Sequence, residues 1–454
     1  MWHWKDSSEQ PLLLTPQARS LILGQPSMPR IYVQQLLIAT VLLVMLCGLV
    51  NYVVDPYGMN NTFSITGINK IKPETETHER LYKASIIAER HPSIIALGTS
   101  RTDRGLSMQH SGWGGKTSER YNAALVGANM YEIWRYFEYA NRTHQLKRVV
   151  LGLDLLAFNY YKTNQADLDE TLLPVEQQSF DIDTFLRHIE IYFSLGTAIS
   201  SKKTINGNCA DCYSPFLTDG QQNPQVFDQA WRESGGHYRL FLRNDMVAVS
   251  YLHFPPPSYK FALMPPSPNE KSQLYYLQRL IQTARRDDID LRLFISPSHA
   301  RQWEALYAAG LWPEFERWKK ELVQMLGDDS KQHPDKAPIP LWDFSGYNNI
   351  STESVPSSND SGAHMQWYWE SSHYKKEVGD MILDRIFDHH EFSRIAPSDF
   401  GVRLASENLS SQLSNIRLAG ESYRLAHSQE TAMIEQLAKD AMAARESRLR
   451  RIYQ

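Results

Sequence analysis

A serine, a histidine and a glutamate stand where they could together carry nucleophilic catalysis. Ser100 lies in IIALGTSRTDRG, directly after an apolar run typical of a buried strand. Glu370 and His373 lie three residues apart in MQWYWESSHYKKEV, ahead of a helical pattern. At that spacing in a turn, a carboxylate can fix the imidazole tautomer, and the imidazole can take a proton from a serine. The pattern predicts acyl transfer with Ser100 as nucleophile, His373 as base and Glu370 as the orienting acid.

Structural explanations exist for the same residue types. Serine is a preferred helix N-cap, which would account for Ser100 without chemistry. Asp343 in LWDFSG ends a predicted strand and is an alternative acid for His373. Ser298 and His299 also end a predicted strand, but sequence neighbours cannot easily serve each other. Pocket lining or helix capping is the better interpretation of that pair.

Charged residues near these motifs are candidates for binding an anionic ligand or a metal. Arg101 and Arg104 follow the candidate nucleophile and could hold an anionic sugar or phosphate, with structural salt bridges as the alternative. His389, His390 and Glu391 end a helical pattern without the spacing of HExxH or a similar ligand set. We therefore expect neither a metal nor a cofactor.

Short β-like runs alternate with amphipathic helical patterns from residue 70 onward, as in parallel α/β sheets. The runs cover residues 93–98, 120–125, 148–154, 290–296 and 339–344. Several are nearly all apolar, which is typical of strands covered on both faces. We expect an α/β domain over 70–392 with a doubly wound, parallel, five-stranded sheet.

Two segments depart from that alternation. Residues 155–268 separate the third and fourth predicted strands and are rich in aromatic residues. Because α/β sheets bind ligands beyond the carboxyl ends of their strands, we expect this insertion to lie over that edge as a lid. Residues 398–450 have helical spacing and predict a C-terminal helical extension, which either packs on the domain or pairs with another subunit.

An apolar stretch near the N-terminus is long enough to cross a bilayer. Residues 36–50 (LLIATVLLVMLCGLV) carry no charge, and with their flanks they reach the roughly 20 residues that a spanning helix needs. No small-x-small cleavage site follows. We expect an uncleaved transmembrane signal anchor over 31–54.

The flanking charges predict the orientation of this anchor. Lys5, Arg19 and Arg30 precede it, whereas residues 51–69 contain no Lys or Arg. The positive-inside rule then makes 1–30 a cytoplasmic tail and places the remaining chain outside. We expect a single-pass protein of the bacterial inner (cytoplasmic) membrane, with its large domain in the periplasm.

Composition narrows the partners further. The chain has 51 acidic and 47 basic residues, a net charge of -4, and no basic block. Because nucleic-acid binding needs a concentrated positive surface, we expect no nucleic-acid partner.

Three cysteines cannot build a disulfide scaffold. Outside the cytoplasm, Cys209 and Cys212 of NGNCADCYS can close a local disulfide, and two thiols alone fall short of a zinc site.

The chain resembles the SGNH (GDSL-type) hydrolases and acyltransferases over roughly 90–160 and 288–390. In that superfamily a serine follows the first strand, and an Asp-x-x-His motif precedes the last helix. Here GTSR around Ser100 stands in the first place, and Glu370-Ser-Ser-His373 stands in the second with Glu for Asp. The resemblance implies an SGNH-like, flavodoxin-like sheet and a serine acyl-enzyme.

The same resemblance implies roles for residues around the nucleophile. YNAALVGANMYE resembles the second block of the superfamily, whose glycine donates an amide to the oxyanion hole, and this implies Gly127. The third block, Gly-x-Asn-Asp, is not found in clear form, and the third predicted strand instead ends at Asp154. Asn129 is the candidate for the missing side-chain amide. Arg101 and Asp154 are candidates for substrate contact.

An N-terminal anchor joined to such a domain looks like the proteins that O-acylate cell-envelope polymers, including the alginate O-acetylation proteins and the D-alanyl-lipoteichoic acid biosynthesis protein. The resemblance implies a serine esterase or O-acyltransferase acting on an exopolysaccharide or another envelope glycan. It also implies an acyl-donor substrate and a membrane-bound O-acyltransferase as partner.

A second hypothesis is a catalytically silent domain that binds polysaccharide or scaffolds an envelope assembly. The altered third block and Glu370 favour it. The distance between the side chains of Ser100 and His373 discriminates between the two hypotheses. About 3 Å is expected for a catalytic pair, and more than about 6 Å for a silent domain.

Overall fold

The computed structural model describes residues 28–60, 64–174, 182–209, 212–252, 261–391, 394 and 396–453. The predicted cytoplasmic tail over 1–30 therefore lies almost entirely outside the described residues. Three parts of the predicted insertion, 175–181, 210–211 and 253–260, also lie outside them.

Eight strands and fourteen α-helices are described. The strands are β1 (Ile94–Leu97), β2 (Arg120–Asn122), β3 (Arg148–Leu153), β4 (Asp290–Ile295), β5 (Leu341–Asp343), β6 (Tyr368–Glu370), β7 (His373–Tyr374) and β8 (Val402–Leu404). The helices are α1 (Met28–Val54), α2 (Glu79–Arg90), α3 (Ser100–Gly105), α4 (Met130–Thr143), α5 (Ile182–Tyr192), α6 (Leu195–Asn206), α7 (Gln225–Ser234), α8 (His237–Leu252), α9 (Gln273–Arg286), α10 (Ala300–Ala308), α11 (Trp312–Gln332), α12 (Lys376–Phe387), α13 (Leu409–Ala426) and α14 (Ser428–Tyr453). Short 3-10 helices cover Pro73–Thr75, Ser111–Trp113, Thr117–Glu119, Leu155–Phe158 and Glu170–Leu172.

The main sheet has six strands in the order β2-β1-β3-β4-β5-β8. The first five are parallel, as predicted, and each of the five β-like runs contains a strand. The sixth strand corrects the expectation of five, because β8 pairs antiparallel with β5. Strand order reverses between β1 and β3, which in doubly wound sheets is where ligands bind.

Helices cover both faces of this sheet. Because alternate residues of a strand point to opposite sides, each strand contributes side chains to both layers. On β1, Ile95 and Leu97 join one buried apolar cluster, while Ile94 and Ala96 join the other. On β4, Leu293 belongs to the first cluster and its neighbour Phe294 to the second. The sheet is therefore buried on both faces, as its nearly all-apolar strands predicted.

Helix α1 stands apart from this core. In the described part of the chain, Arg30–Val54 is the one helix long and apolar enough to cross a membrane. Most of its large side chains are exposed, including Leu43 at 67%. At 1.5 Å per residue, the 27 residues of α1 span about 40 Å, more than the roughly 30 Å hydrocarbon core of a bilayer.

The insertion and the C-terminal segment both pack on the domain. A disulfide joins Cys209 and Cys212 in the insertion. The C-terminal segment is helical over α13 and α14, but the expectation of helix throughout 398–450 is corrected by β8. Ile434 and Ala438 of α14 lie in the main apolar cluster, so this extension packs on its own domain.

A buried lysine connects the helix before β1 to the helix after it. Lys83 of α2 is fully buried, and its Nζ donates to Asp103 Oδ1 of α3 at 2.7 Å and to the carbonyl oxygen of Ala124. Glu79 adds a second carboxylate 3.2 Å away. Burial raises the pKa of the Asp103 carboxyl above its usual range, although the Lys83 charge opposes that rise.

We expect Lys83→Met to lower the free energy of unfolding by about 3 to 5 kcal/mol, because it leaves Asp103 buried without its cation. Adding Asp103→Asn to the same chain is expected to recover part of the loss. Urea unfolding of the full-length protein in detergent measures both. Lys202→Met, at an exposed position of α6, is the control. A loss no larger than that of the control would contradict this role.

Candidate active site

A strained turn places Ser100 at the carboxyl edge of the sheet. Between β1 and α3, Gly98 adopts a φ of 150°. A Cβ atom on Gly98 would lie 2.3 Å from Thr102 Oγ1, so only glycine fits there. Thr99 is the N-cap of α3, its side chain accepting from the Arg101 amide, and Ser100 is the first helical residue. The cap is therefore Thr99, which leaves the Ser100 hydroxyl available.

A two-stranded hairpin places Glu370 and His373 opposite each other. The strands β6 and β7 are antiparallel, with Glu370 paired to His373 across the Ser371-Ser372 turn. The Nδ1 atom of His373 is hydrogen-bonded to Glu370 Oε1. The other oxygen, Oε2, accepts from the Ser372 amide at 2.7 Å and from the Ser372 hydroxyl at 3.0 Å. Both carboxylate oxygens are thereby fixed within one turn.

The serine and the histidine meet across 273 residues of sequence. His373 Nε2 lies 2.8 Å from Ser100 Oγ. With the proton held on Nδ1 by Glu370, Nε2 is the acceptor for the Ser100 hydroxyl. This is the arrangement in which a serine attacks a carbonyl and an imidazole takes its proton.

Electrostatics keep the imidazole neutral and the carboxylate ionised. Burial, and next the charge of Arg104, lower the pKa of His373 below its ordinary value of 6.5, although Glu370 opposes them. Burial resists ionisation of Glu370, but His373 and then Arg104 outweigh it and lower the pKa of Glu370 to about 2. Near pH 7 the pair therefore holds a free base and an ionised acid.

Arg101 and Asp154 support the turn that carries Ser100. Arg101 Nη1 donates to Asp154 Oδ1 at 2.7 Å, and Arg101 Nε donates to the Ser372 carbonyl oxygen at 3.0 Å. The Thr99 hydroxyl donates to the other oxygen of Asp154. Both residues were expected to contact substrate. They line the same cavity as Ser100, and their polar atoms brace the site.

Two further residues hold the histidine turn: Arg104, for which structural salt bridges were the alternative interpretation, and Asn244, which the sequence analysis missed. Arg104 Nε donates to Gln222 Oε1 at 2.8 Å, and its guanidinium lies over the Phe227 ring and 3.9 Å from Glu370. Asn244 Oδ1 accepts from the Ser371 hydroxyl at 2.5 Å. Asn244 belongs to α8 in the insertion, and no local motif marks it.

Gly127 lies in the wall of the cavity that contains Ser100. His373 lines the same cavity, and the φ of 66° at Gly127 suits glycine. The neighbouring amides are used, since Val126 donates to Glu79 and Ala128 donates to Leu125. Within the described residues the Gly127 amide has no hydrogen-bond partner. The Ser100 amide also lacks an acceptor within α3, because the first N–H groups of any helix have no preceding turn to donate to.

The expected role of Asn129 is not supported. Its Oδ1 accepts from the Glu132 amide as the N-cap of α4. Its Nδ2 donates to the Lys162 carbonyl oxygen at 3.1 Å and to Asn164 Oδ1 at 2.8 Å. Both ends of this side-chain amide are thus engaged, and Asn129 does not line the cavity. Asparagine is a preferred N-cap, and here that use accounts for it.

Asp343 is likewise not the acid of His373. Its Oδ2 accepts from the fully buried Lys319 Nζ at 2.8 Å. Its Oδ1 accepts from the Ser345 hydroxyl at 2.6 Å. A buried ammonium needs a counter-charge, and Asp343 supplies it.

Of the neighbouring pair Ser298 and His299, the histidine caps a helix. His299 accepts from the Arg301 amide at 3.2 Å at the start of α10, as the capping interpretation predicted.

The cavity at this site has a volume of about 470 Å³. Its lining includes the polar side chains of Ser100, Arg101 and His373 and the aromatic side chains of Trp303, Phe315 and Trp318. A larger cavity of about 1150 Å³ lies at the opposite edge, between Asp290 and Arg403. The residues described as lining it include no serine, cysteine or threonine. We therefore assign the chemistry to the smaller cavity.

Comparison with known proteins adds no family assignment. No protein-family model matches the chain, and no curated protein matches it significantly. The fold and the site by themselves define a mixed α/β protein with a six-stranded, mostly parallel sheet. At the carboxyl edge of that sheet, serine, histidine and glutamate side chains form one hydrogen-bonded chain.

The lowered pKa of His373 predicts how reactivity at Ser100 depends on pH. Because the neutral imidazole is the base, the reaction of Ser100 with a fluorophosphonate is expected to be fastest at neutral pH. It should decline on acidification with a midpoint below 6.5. Arg104→Met removes a charge that lowers this pKa, so its midpoint is expected to move to higher pH. Labelling rates from about pH 4 to 8, which brackets the ordinary imidazole pKa of about 6.5, measure both midpoints.

Arg417→Met is the matched control, since this half-exposed arginine pairs with Glu316 on the far surface. Its midpoint should equal that of the unmodified chain. An unchanged midpoint in Arg104→Met would show that this arginine does not act on the imidazole.

Proposed function

We propose that this protein is a membrane-anchored, extracytoplasmic serine esterase or O-acyltransferase of SGNH type. The observation that carries the proposal is the 2.8 Å contact between Ser100 Oγ and His373 Nε2, with Glu370 on Nδ1 of the same ring. A nucleophile, a base and an orienting acid in hydrogen-bonded sequence are the requirements of acyl transfer through a serine ester.

In the first half-reaction, Ser100 Oγ attacks the carbonyl carbon of the acyl donor while its proton passes to His373 Nε2. The carbonyl electron pair moves onto oxygen, and the amides of Ser100 and Gly127 are the proposed donors to that oxyanion. Collapse of the intermediate breaks the bond to the leaving alcohol, which takes the proton from His373. The acyl group is then an ester of Ser100.

In the second half-reaction, an acceptor hydroxyl gives its proton to His373 and attacks the acyl ester of Ser100. Ser100 leaves and recovers the proton. Water as acceptor makes the protein an esterase, and a sugar hydroxyl makes it an O-acyltransferase. Glu370 stabilises the imidazolium formed in each half-reaction, because both of its oxygens are already fixed.

Several features support the SGNH-type assignment. The strand order 2-1-3-4-5 is that of a doubly wound sheet, Ser100 follows β1, and Gly127 follows β2. Glu370 and His373 form a turn just ahead of α12. The third block remains a departure, because Asp154 binds Arg101 and Asn129 caps a helix. The side-chain amides that line the cavity belong instead to Gln165, Asn244 and Gln302.

The proposed substrates are an acyl donor and an exopolysaccharide or other envelope glycan. The lining of the cavity includes the cations Arg101, Arg104 and Lys162 and the aromatic side chains of Trp303, Phe315 and Trp318. Polar contacts beside aromatic faces suit a sugar derivative, and about 470 Å³ is an ordinary volume for a small-ligand site. A membrane-bound O-acyltransferase is the proposed source of the acyl group.

The location is part of the proposal. Helix α1 would be a signal anchor with its N-terminus in the cytoplasm, because basic residues precede it and none follow in 51–69. The disulfide between Cys209 and Cys212 supports an oxidising compartment for the large domain. The silent-scaffold hypothesis is less well supported, since a Ser100–His373 distance above about 6 Å was its expected signature.

We expect a fluorophosphonate to form one covalent adduct on the full-length protein, detected by intact mass, with Ser100 as its site. Ser100→Ala should abolish the adduct because the nucleophile is gone. His373→Ala should slow its formation by about 100-fold or more because the general base is gone. Glu370→Gln should also slow it, since an amide cannot stabilise the imidazolium.

Ser298→Ala is the control, because Ser298 is a fully buried serine that does not line the cavity. It should leave labelling unchanged. If the folded full-length protein forms no adduct, or if the adduct persists in Ser100→Ala, the acyl-enzyme proposal is wrong.

The orientation of the chain in the membrane can be tested separately. In a Cys47→Ala background, we expect a membrane-impermeant maleimide added to spheroplasts to label Leu425→Cys, whose native side chain is 84% exposed on α13. It should not label Ser8→Cys until the membrane is opened. The reverse pattern would place the large domain in the cytoplasm.

A further inference from the structure

Helices α5 and α6 carry large apolar side chains that face outward. Ile182, Phe185, Leu186 and Ile189 of α5, with Leu195 and Ile199 of α6, are each 39% to 77% exposed. We refer to these six side chains as the α5–α6 apolar surface. Large apolar side chains exposed together on adjacent helices mark an interaction surface on a folded protein.

The pattern within α5 is that of an amphipathic helix. Residues 182, 185, 186 and 189 follow the i, i+3, i+4, i+7 spacing, which places them on one face. Charged residues occupy other faces, where Arg187 donates to Asp169 Oδ2 at 2.5 Å. In a core-facing helix this apolar stripe would turn inward. Here the stripe faces outward, and α5 contacts the domain through other side chains, among them Thr184, Arg187 and Ile191.

The α5–α6 apolar surface continues the surface of α1. Asn51 Nδ2 of α1 donates to the Tyr192 carbonyl oxygen at 2.7 Å, and the Ser201 hydroxyl donates to Asn51 Oδ1 at 2.8 Å. Gly48 of α1 lies so close to Phe193 that a Cβ atom there would be 2.4 Å from the Phe193 ring. The two short helices are therefore fixed against the last turns of α1.

The height of this contact fits the boundary of a bilayer. Gly48 lies six residues, or about 9 Å, before the end of α1 at Val54. Interfacial helices bury their apolar faces about 5 to 10 Å into the boundary between headgroups and acyl chains. Lys202 of α6 is exposed, and a lysine at this level can extend to anionic headgroups.

We propose that α5 and α6 lie in the outer interface of the membrane, with the α5–α6 apolar surface immersed in lipid. This inference rests on the proposed membrane anchor, and it makes the large domain a membrane-surface protein rather than one tethered loosely above the bilayer. Lipid is the occupant because the surface is continuous with the exposed side chains of α1.

Helix α5 is also connected to the active site. The Thr184 hydroxyl of α5 donates to the Thr171 carbonyl oxygen at 2.7 Å, in the segment that begins with Gln165. Gln165 lines the cavity, and its Nε2 donates to the Gly127 carbonyl oxygen at 3.2 Å. Contact with lipid at α5 and α6 therefore fixes the distance between the cavity and the membrane. The cavity then receives its substrates at the membrane surface.

The test uses the full-length chain with Cys47→Ala in nanodiscs of phosphatidylcholine and phosphatidylglycerol, one chain to a disc. Leu186→Cys carries an environment-sensitive fluorophore. Lipids spin-labelled near the carbonyl are expected to quench roughly half of its emission or more, and aqueous iodide should quench little. Leu43→Cys, near the middle of α1, is the lipid control and is read with lipids spin-labelled deep in the acyl chain, and Leu425→Cys on α13 is the aqueous control.

The outcomes separate this inference from the proposed anchor. Lipid quenching at both Leu43→Cys and Leu186→Cys supports the inference. Lipid quenching at Leu43→Cys with iodide quenching at Leu186→Cys overturns the inference and leaves the anchor intact. Protection of Leu186→Cys from both quenchers would also overturn it, because the surface would then be covered by protein. Iodide quenching at Leu43→Cys would refute the anchor itself.

Discussion

The ion pair between Arg101 and Asp154 is the interaction on which the site depends. Arg101 is adjacent to Ser100, Asp154 directly follows the neighbouring strand β3, and the same guanidinium donates to the carbonyl oxygen of Ser372 beside His373. One side chain thus connects three segments that are far apart in sequence. A charged planar donor with fixed geometry suits this task, because each of its hydrogen bonds sets direction as well as distance.

The histidine and its acid are positioned by local structure, in contrast to the serine. A tight turn between β6 and β7 sets Glu370 directly opposite His373, and the longer reach of glutamate brings its oxygens both to the imidazole and back to Ser372. Under the proposed SGNH-type assignment, this reach would let Glu370 take the place of the Asp in the motif that the segment resembles. The nucleophile then needs only one long-range contact, which is made where α3 packs on this hairpin. Gly105 allows that packing, since a Cβ atom there would lie 1.9 Å from the Tyr374 ring.

The insertion lines the cavity at the carboxyl edge of the sheet and also contacts the apolar helix. Helix α8 lines the cavity and supplies Asn244, which holds the turn before His373. Helices α5 and α6 pack on α1 at the other side of the insertion. The insertion therefore joins the site to the apolar helix, and a reaction that takes place at a membrane surface is consistent with this arrangement.

The sequence by itself determined the features that depend on short-range pattern. Apolar runs located all five parallel strands, uncharged length located α1, and the position of Ser100 after a strand together with the Glu370-x-x-His373 spacing identified the candidate catalytic residues. These succeed because strand period, helix period and hydrophobic length are properties of neighbouring residues. The antiparallel β8 was missed because three residues beside long helices carry too little pattern.

Only the tertiary structure decided which polar groups meet. Asn129 and Asp343 had suitable chemistry and suitable positions, yet one caps a helix and the other neutralises Lys319. Asn244 joined the site without any local signal, because its partner lies 127 residues away. Residue type states what a side chain can bind, whereas its actual partner follows from packing among distant segments. The sequence therefore supplied the candidates, and long-range packing selected among them.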